Sequence, residues 1–156
     1  MSDDTRDELA PRLRLAVTRT ARRLRQEAGS GLGPSQTAAL ATIERHGPLG
    51  PSELAERERI SKPTTTRVVR HLERAGLVER TRDPLDGRCS ILSVAPAGRE
   101  LLRELRARKT AYFARRLSEL GDEDVAALER AVAALERMLE HDHPTAELRA
   151  RMGGPR

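Results

Sequence analysis

Aromatic residues are almost absent from this chain of 156 residues, which contains one Phe, one Tyr and no Trp. It also has a single cysteine, Cys89, so an intramolecular disulfide and a cysteine-based metal cluster are both excluded. No apolar run approaches the roughly 20 residues that a membrane-spanning helix needs. The N-terminal residues lack the charged-then-apolar layout of a signal peptide. We therefore expect a cytoplasmic protein with no membrane partner.

Patterns that would indicate catalysis or metal binding are also scarce. No nucleophile, base and orienting group stand out as a set. Glu56 and Glu58 are two residues apart, a spacing that does not bring side chains together on a helix. His141 and His143 flank an aspartate in a tail rich in helix breakers, where solvated histidines are the alternative to a metal site. The sequence predicts a protein that is not an enzyme and has no cofactor and no bound metal.

Aliphatic and charged residues dominate the composition, at 37% hydrophobic and 34% charged. Abundant Ala, Leu, Arg and Glu with few β-branched residues favour helices. Only one segment carries the pattern of β-strands. The composition therefore predicts a mainly α fold with a small β part.

Charge is distributed unevenly along the chain, whose formal net charge is +5. Residues 57–88 include nine basic and five acidic side chains, whereas residues 122–140 include two basic and six acidic ones. A middle segment of net positive charge indicates an anionic partner for that part of the chain.

A basic helix is predicted from Lys62 to Gly76, with Ser61 as its N-cap. Gly76 follows the last apolar position, where a left-handed residue commonly ends a helix. Val68 and Leu72 recur at helical spacing on one face, while the opposite face is rich in arginine. Such a helix suits a DNA groove. For this helix alone, a charged face that is merely solvated is the alternative.

A short helix is predicted just before the basic helix, over residues 53–58 with Ser52 as its cap. The tight turn between these two helices predicts a helix-turn-helix. Leu49, further upstream, is a candidate for a strand of one or two residues.

Two strands are predicted after the basic helix, over residues 77–82 and 89–94. The dipeptides Asp83-Pro84 and Asp86-Gly87 between them are typical of turns. A helix-turn-helix followed by a hairpin is a winged helix, which we assign to residues 34–95.

Long amphipathic helices are predicted on both sides of the winged part, within residues 6–30 and 96–140, and a flexible tail is predicted over residues 141–156. The last helix has apolar residues spaced by three and four, which indicates a helix–helix interface. We expect these helices to form a dimer, although an apolar seam that packs within one chain is the alternative. The predicted fold class is therefore mainly α with a small two- to three-stranded β-wing, built as a winged helix-turn-helix plus a helical dimerisation region. The expected dimerisation residues are Leu9, Leu13, Val17, Phe113, Leu117, Val125, Leu128, Val132, Leu135 and Leu139.

Three motifs resemble the MarR (multiple antibiotic resistance regulator) family of bacterial regulators. They are Leu54-Ala55, Leu72-Glu-Arg-Ala-Gly-Leu-Val-Glu-Arg80 and Asp83-Pro-Leu-Asp-Gly-Arg88. The resemblance covers roughly residues 9–139. It departs at Gly33 and Ala95, where the family often has the better helix cap Thr. The resemblance implies a homodimer made by the first, fifth and sixth helices.

The residues expected to contact double-stranded DNA are Ser61, Lys62, Thr64, Thr65, Arg67, Arg70, Arg74, Arg82, Asp86 and Arg88. Those before Arg67 would reach base edges and nearby phosphates, and Arg67 would contact guanine through two hydrogen bonds. Arg70 and Arg74 would hold phosphates. By resemblance, Arg88 would enter the minor groove with its guanidinium fixed by Asp83 or Asp86. Simple turn formation is the alternative for Asp86.

The expected function is that of a homodimeric, ligand-responsive repressor on a pseudo-palindromic operator. By resemblance, a small organic effector, anionic or aromatic, would bind between the dimer helices and the winged part. The sequence leaves the ligand-binding residues unknown. A winged helix that binds protein and has no operator is the alternative function. Peroxide-sensing relatives use a cysteine in the first helix, which this chain lacks, so only a local redox effect of Cys89 remains open.

Overall fold

The computed structural model describes residues 3–141, with side chains described for residues 5–140. Within that range the elements are α1 (Asp3–Ala28), α2 (Pro34–His46), α3 (Pro51–Glu58), α4 (Lys62–Arg74), β1 (Val78–Arg82), β2 (Ser90–Val94), α5 (Pro96–Leu117) and α6 (Asp122–His141). The fold class predicted from the sequence, mainly α with a small β-wing, is therefore confirmed.

The chain divides into two compact units, with the boundary between Tyr112 and Phe113. The first unit contains α1 to α4, the hairpin and most of α5, and the second contains the end of α5 and α6. The tail predicted as flexible lies outside the described residues, apart from the backbone of His141.

The core of the first unit is built from branched aliphatic side chains where α2, α3, α4 and the hairpin meet. Burying one such side chain contributes about 1.5–3 kcal/mol, so a set of this size can hold the unit together without aromatic residues. The largest side chains that are fully buried are Leu40, Ile43, Leu49, Leu54, Leu72, Leu92, Val69 and Thr65.

The basic helix α4 begins and ends as its sequence predicts. The backbone N–H of Thr64 donates to Ser61 Oγ at 3.3 Å, which is the predicted N-cap. Gly76 follows the last turn with a φ of +68°, a conformation that favours glycine. The start of α3 was predicted wrongly: the helix begins at Pro51 after Gly50 as N-cap, because proline suits the first turn.

The hairpin pairs β1 with β2 in antiparallel register, with Val78 opposite Val94 and Arg82 opposite Ser90. Leu49 forms the predicted one-residue strand, and its partner in the structure is Leu92, through hydrogen bonds of 3.2 and 2.8 Å. The base of the wing is thus attached to the segment that precedes the helix-turn-helix.

The apolar side chains of α1 and α6 are largely exposed within their own units. In α1 only Ala28 is buried among the described side chains, and Leu9 and Val17 are about half exposed. In the second unit no described side chain is buried. Across residues 3–141, no helix has both the length and the apolar character needed to cross a membrane.

Candidate nucleic-acid interface

The outer face of α4 carries three exposed arginines at helical spacing, Arg67, Arg70 and Arg74. Within the described part of the chain, their guanidinium groups make no hydrogen bond or ion pair. They border an open depression of about 380 Å³ that is lined by Pro63, Thr66, Arg67, Arg70, His71 and Arg74. The face is therefore an unneutralised basic surface.

A second hollow, of about 360 Å³, lies where α4 meets the start of α2. It is lined by Gly33, Pro34, Ser35, Gln36, Thr64, Arg67, Val68 and His71. Arg67 and His71 border both hollows. The start of α2 adds the partial positive charge of a helix N-terminus to the same surface, so Arg67 lies where two sources of positive potential meet.

The opposite face of α4 explains why these arginines point outward. Val68, Val69 and Leu72 are at most 5% exposed and belong to the core. Because helical residues three and four apart share a face, burial of this stripe turns the positions of Arg67, Arg70 and Arg74 towards solvent.

Thr65 does not lie where the sequence prediction placed it. Its side chain is 2% exposed, and its hydroxyl donates to the carbonyl oxygen of Ser61 at 3.1 Å. Position 65 precedes Val68 by three residues and Val69 by four, so the same periodicity that defined the inner face includes it. Thr65 is a core residue of α4, and its side chain is not available to a groove.

The other early residues of α4 remain accessible. Ser61 and Lys62 are exposed and Thr64 is half-buried, and the hydroxyls of Ser61 and Thr64 are 2.9 Å apart. Thr66, which was not among the predicted contacts, is exposed and borders the basic depression beside Arg70. Thr66 precedes Arg70 by four residues, and this spacing could have placed it on the same face of the helix.

The wing tip is a hydrogen-bonded turn with an arginine at each end. Arg82 ends β1 and Arg88 precedes β2, and both are exposed. Asp86 Oδ1 accepts from the backbone N–H of Arg88 at 3.0 Å, and the Asp86 carbonyl accepts from that of Cys89 at 2.9 Å. Within the described residues, neither Asp83 nor Asp86 binds the Arg88 guanidinium. In the structure Asp86 stabilises the turn, which was the alternative role given to it.

Cys89 lies exposed beside this turn, and its thiol donates to Asp86 Oδ2 at 3.5 Å. That hydrogen bond and the negative charge of Asp86, with a smaller contribution from Asp83, raise the pKa of Cys89 above its ordinary value. A thiol with a raised pKa contains little thiolate near neutral pH and reacts slowly. This environment disfavours the redox role that the sequence had left open.

A side-chain link that the sequence analysis overlooked joins the wing to α4. The guanidinium of Arg80 in β1 donates from Nε to Glu73 Oε1 at 2.7 Å and from Nη2 to Glu73 Oε2 at 3.4 Å. Its Nη1 donates to Ser90 Oγ in β2 at 3.0 Å. Glu73 and Arg80 both belong to the Leu72–Arg80 motif, but they lie in different elements, so the periodicity of one helix or strand does not predict their contact. The link holds both strands of the wing to the last turn of α4.

A larger cavity, of about 600 Å³, lies in the first unit beside α1. Its walls are mainly apolar with three cationic groups, and they comprise Ala21, Arg22, Leu24, Arg25, Gln26, Ala28, Ser30, Leu32, Pro34, Thr37, Ala38, Ala41, Leu105 and Lys109. Next to it, Arg108 of α5 donates to the carbonyl of Ala28 at 2.9 Å and pairs with Glu104 at 3.2 Å. The end of α1 is thereby tied to α5 at the cavity.

The residues expected in a dimer interface remain at least partly exposed in the single chain. Leu9, Val17, Phe113, Leu117, Val125, Leu128, Val132 and Leu139 are exposed, and Leu13 and Leu135 are half-buried. No group of three or more His, Cys, Asp or Glu is arranged to hold a metal ion among the described residues. The His141 and His143 side chains lie outside them.

Several known proteins are similar to this chain. The MarR family model matches residues 32–90. The uncharacterized HTH-type transcriptional regulator Mb0904 of Mycobacterium bovis is 39% identical over 118 residues, which are 75% of this chain and 82% of that protein. The HTH-type transcriptional repressor MdtR of Bacillus subtilis is 33% identical over 112 residues, 72% of each chain.

The fold has a counterpart among solved structures. A MarR family protein from Bacillus stearothermophilus superposes with a TM-score of 0.75 at 26% sequence identity. The match covers 90% of this chain and 99% of that one. The likeness therefore extends well beyond the winged part to the long helices on either side.

Proposed function

The chain belongs to the MarR family of helix-turn-helix, DNA-binding transcriptional regulators, which are not enzymes, and we propose that it acts as a homodimeric, ligand-responsive repressor. The relative MdtR is a transcriptional repressor, which supports the choice of repressor over activator. We place the protein in the cytoplasm, where a bacterial regulator meets its DNA.

The observation that carries the proposal is the unpaired basic face of α4. Its three arginines face solvent with no carboxylate to neutralise them among the described residues, and the opposite face is locked in the core. A helix held this way can enter the major groove, which admits one α-helix. We assign base contact to Arg67, and phosphate contact to Arg70 and Arg74.

The remaining proposed contacts flank this face. Ser61, Lys62 and Thr64 lie at the start of α4, where a helix N-terminus attracts phosphate. Arg82 and Arg88 would contact the neighbouring minor groove from the wing. Asp86 supports these contacts by shaping the turn, and Thr65 is removed from the set because it is buried.

The exposed apolar seam of α6 supports a homodimer. Val125, Leu128, Val132 and Leu139 are between 37% and 63% exposed, and solvating such a stripe is unfavourable. We propose that α1, the later part of α5 and α6, within residues 6–30 and 96–140, form the dimer, and that residues 34–95 bind DNA. Two copies related by a two-fold axis would bind half-sites about one DNA turn, roughly 34–36 Å, apart.

The cavity beside α1 supports an effector site. A volume of about 600 Å³ lies within the usual range for small-molecule pockets. Its apolar walls together with Arg22, Arg25 and Lys109 suit an apolar anion, such as an aromatic carboxylate. Such a ligand would shift the regulator between two states only if it binds one of them more tightly. The link from Arg108 to Ala28 lies where this difference would arise.

Selection of bound sequences from a pool of random duplexes tests the proposal. The purified full-length chain should enrich an inverted repeat with half-site centres about ten base pairs apart, and binding should weaken steeply as salt rises. Arg67→Ala should relax the base preference, whereas Arg103→Ala, on the exposed side of α5, should leave it unchanged. Recovery of no enriched sequence, with duplex binding unaffected by Arg67→Ala at low salt, would favour the protein-interaction alternative.

A further inference from the structure

One apolar side chain at the wing tip is exposed far more than any other large apolar residue described. Leu85 is 97% exposed, whereas the exposed apolar residues of α1, α5 and α6 range from 37% to 63%. A single exposed leucine is ordinary on a protein surface. Its position and its fixed support are what distinguish Leu85.

The backbone that carries Leu85 is held by hydrogen bonds at both ends of the turn. The Leu85 N–H donates to Asp83 Oδ1 at 2.8 Å, and the Asp83 N–H donates to the Cys89 carbonyl at 2.9 Å. On the other side, Asp86 accepts from the N–H groups of Arg88 and Cys89. Pro84 additionally restricts φ next to Leu85. The side chain therefore projects from an ordered backbone, so little backbone conformational entropy would be lost on binding.

The surroundings of Leu85 indicate which partner it would meet. Arg82 and Arg88 lie on either side of the turn, exposed and without an ion pair among the described residues. Two cations around one apolar side chain match a groove that has phosphates on both rims and deoxyribose C–H groups on its walls. The minor groove is about 6 Å wide, and proteins that bind it often insert apolar side chains.

We propose that Leu85 is a DNA-contacting residue that packs against deoxyribose in the minor groove between the phosphates held by Arg82 and Arg88. This inference rests on the proposed function of the wing. It divides the wing contact into an electrostatic part, which salt weakens, and an apolar part that releases no counterions.

Affinity for a selected duplex, measured over a series of salt concentrations with the full-length protein, separates the two parts. Leu85→Ala should weaken binding about tenfold, because most of the buried side chain is lost, with an unchanged slope of log affinity against log salt. Leu85→Met should recover most of the loss, since it keeps an apolar side chain of similar size. Arg88→Ala should weaken binding and also make the slope shallower.

Ser52→Ala is the control, since Ser52 is an exposed residue of α3 that lies outside the wing, the basic face of α4 and the proposed dimer helices, and its affinity should stay within about twofold of the unaltered protein. A Leu85→Ala affinity equal to this control, alongside a clear Arg88→Ala effect, would overturn the leucine contact alone. A Leu85→Ala loss accompanied by a shallower salt slope would overturn the apolar mechanism. If Arg67→Ala and Arg88→Ala also leave affinity unchanged, the proposed function itself fails.

Discussion

Helices α4 and α6 carry similar aliphatic stripes, yet only one of them is buried. In α4, Val68, Val69 and Leu72 are at most 5% exposed, whereas Val132 and Leu139 in α6 are more than half exposed. Both patterns repeat every three to four residues, so periodicity alone does not distinguish them. Periodicity identifies an apolar face. Whether residues of the same chain pack against that face depends on the rest of the fold.

The difference has a functional consequence. Helix α4, whose apolar stripe packs in the core of its own unit, holds its arginines in fixed positions, because moving the helix would expose the core. We propose that the helix whose stripe is exposed, α6, is covered by a second copy of the chain. We therefore expect the winged part to stay folded when the protein is diluted, whereas association through the long helices should depend on protein concentration. Substitutions in α4 and in α6 should separate these two behaviours.

The largest effect is expected from placing charge in the α6 seam. Leu128→Asp combined with Val132→Asp would bury unpaired carboxylates in each copy of the proposed interface, at a cost of about 4 kcal/mol. Sedimentation equilibrium should then show the dimer dissociation constant raised roughly a thousandfold. Glu129→Gln, at an exposed position of the same helix, is the control. An unchanged dimer in the double variant would contradict the assignment of the seam.

A smaller effect, on the free energy of unfolding, is expected from truncating a buried side chain of the α4 stripe. Leu72→Ala should lower the free energy of unfolding by about 2–5 kcal/mol, because Leu72 is fully buried. Urea denaturation measures this loss, which should not depend on protein concentration once dimer dissociation is accounted for. Leu85→Ala should change stability by less than about 0.5 kcal/mol. Equal losses in the two variants would show that α4 is not anchored as described.

The outer face of α4 should contribute affinity and not stability. Arg67→Ala should weaken binding to a selected duplex by about 1–3 kcal/mol and relax the preference at one base pair. Fluorescence anisotropy with duplexes altered at single positions measures both quantities. If the loss is the same for every duplex, Arg67 contacts phosphate and not a base.

Only a small effect on stability is expected at the link between α4 and the wing. A double-mutant cycle of Glu73→Gln and Arg80→Ala should give a coupling energy of no more than about 1 kcal/mol, because both side chains are partly exposed. DNA binding should fall severalfold through the wing, and base preference at the α4 contacts should be retained. If the double variant also loses base preference at the base pairs that α4 contacts, the link between Glu73 and Arg80 positions α4 and not the wing.

Much of the winged part could be predicted from the sequence because local signals agree there. Ser61 caps α4, Gly76 follows it with a positive φ, and Leu49 forms a one-residue strand bridge, all as predicted. The start of α3 was wrong because Ser52 and Pro51 are competing signals, and proline takes the first helical position.

The candidate site was less predictable than the fold. Thr65 was assigned outward from its polarity although its spacing places it with the core. The bond between Glu73 and Arg80 joins two elements, so no local pattern encodes it. The α1 cavity is formed by residues from 21 to 109 in the chain, and only the folded chain brings them together.

The most direct test of the account is the mass and half-site spacing of the complex with a selected duplex. Analytical ultracentrifugation should give two chains per duplex, and protection from cleavage should cover two half-sites with centres about one turn apart. The seam variant Leu128→Asp with Val132→Asp should lose this assembly and keep a folded winged part. One chain per duplex, or protection of a single half-site by the unaltered protein, would contradict the division of the chain into a self-sufficient DNA-binding part and helices that need a partner copy.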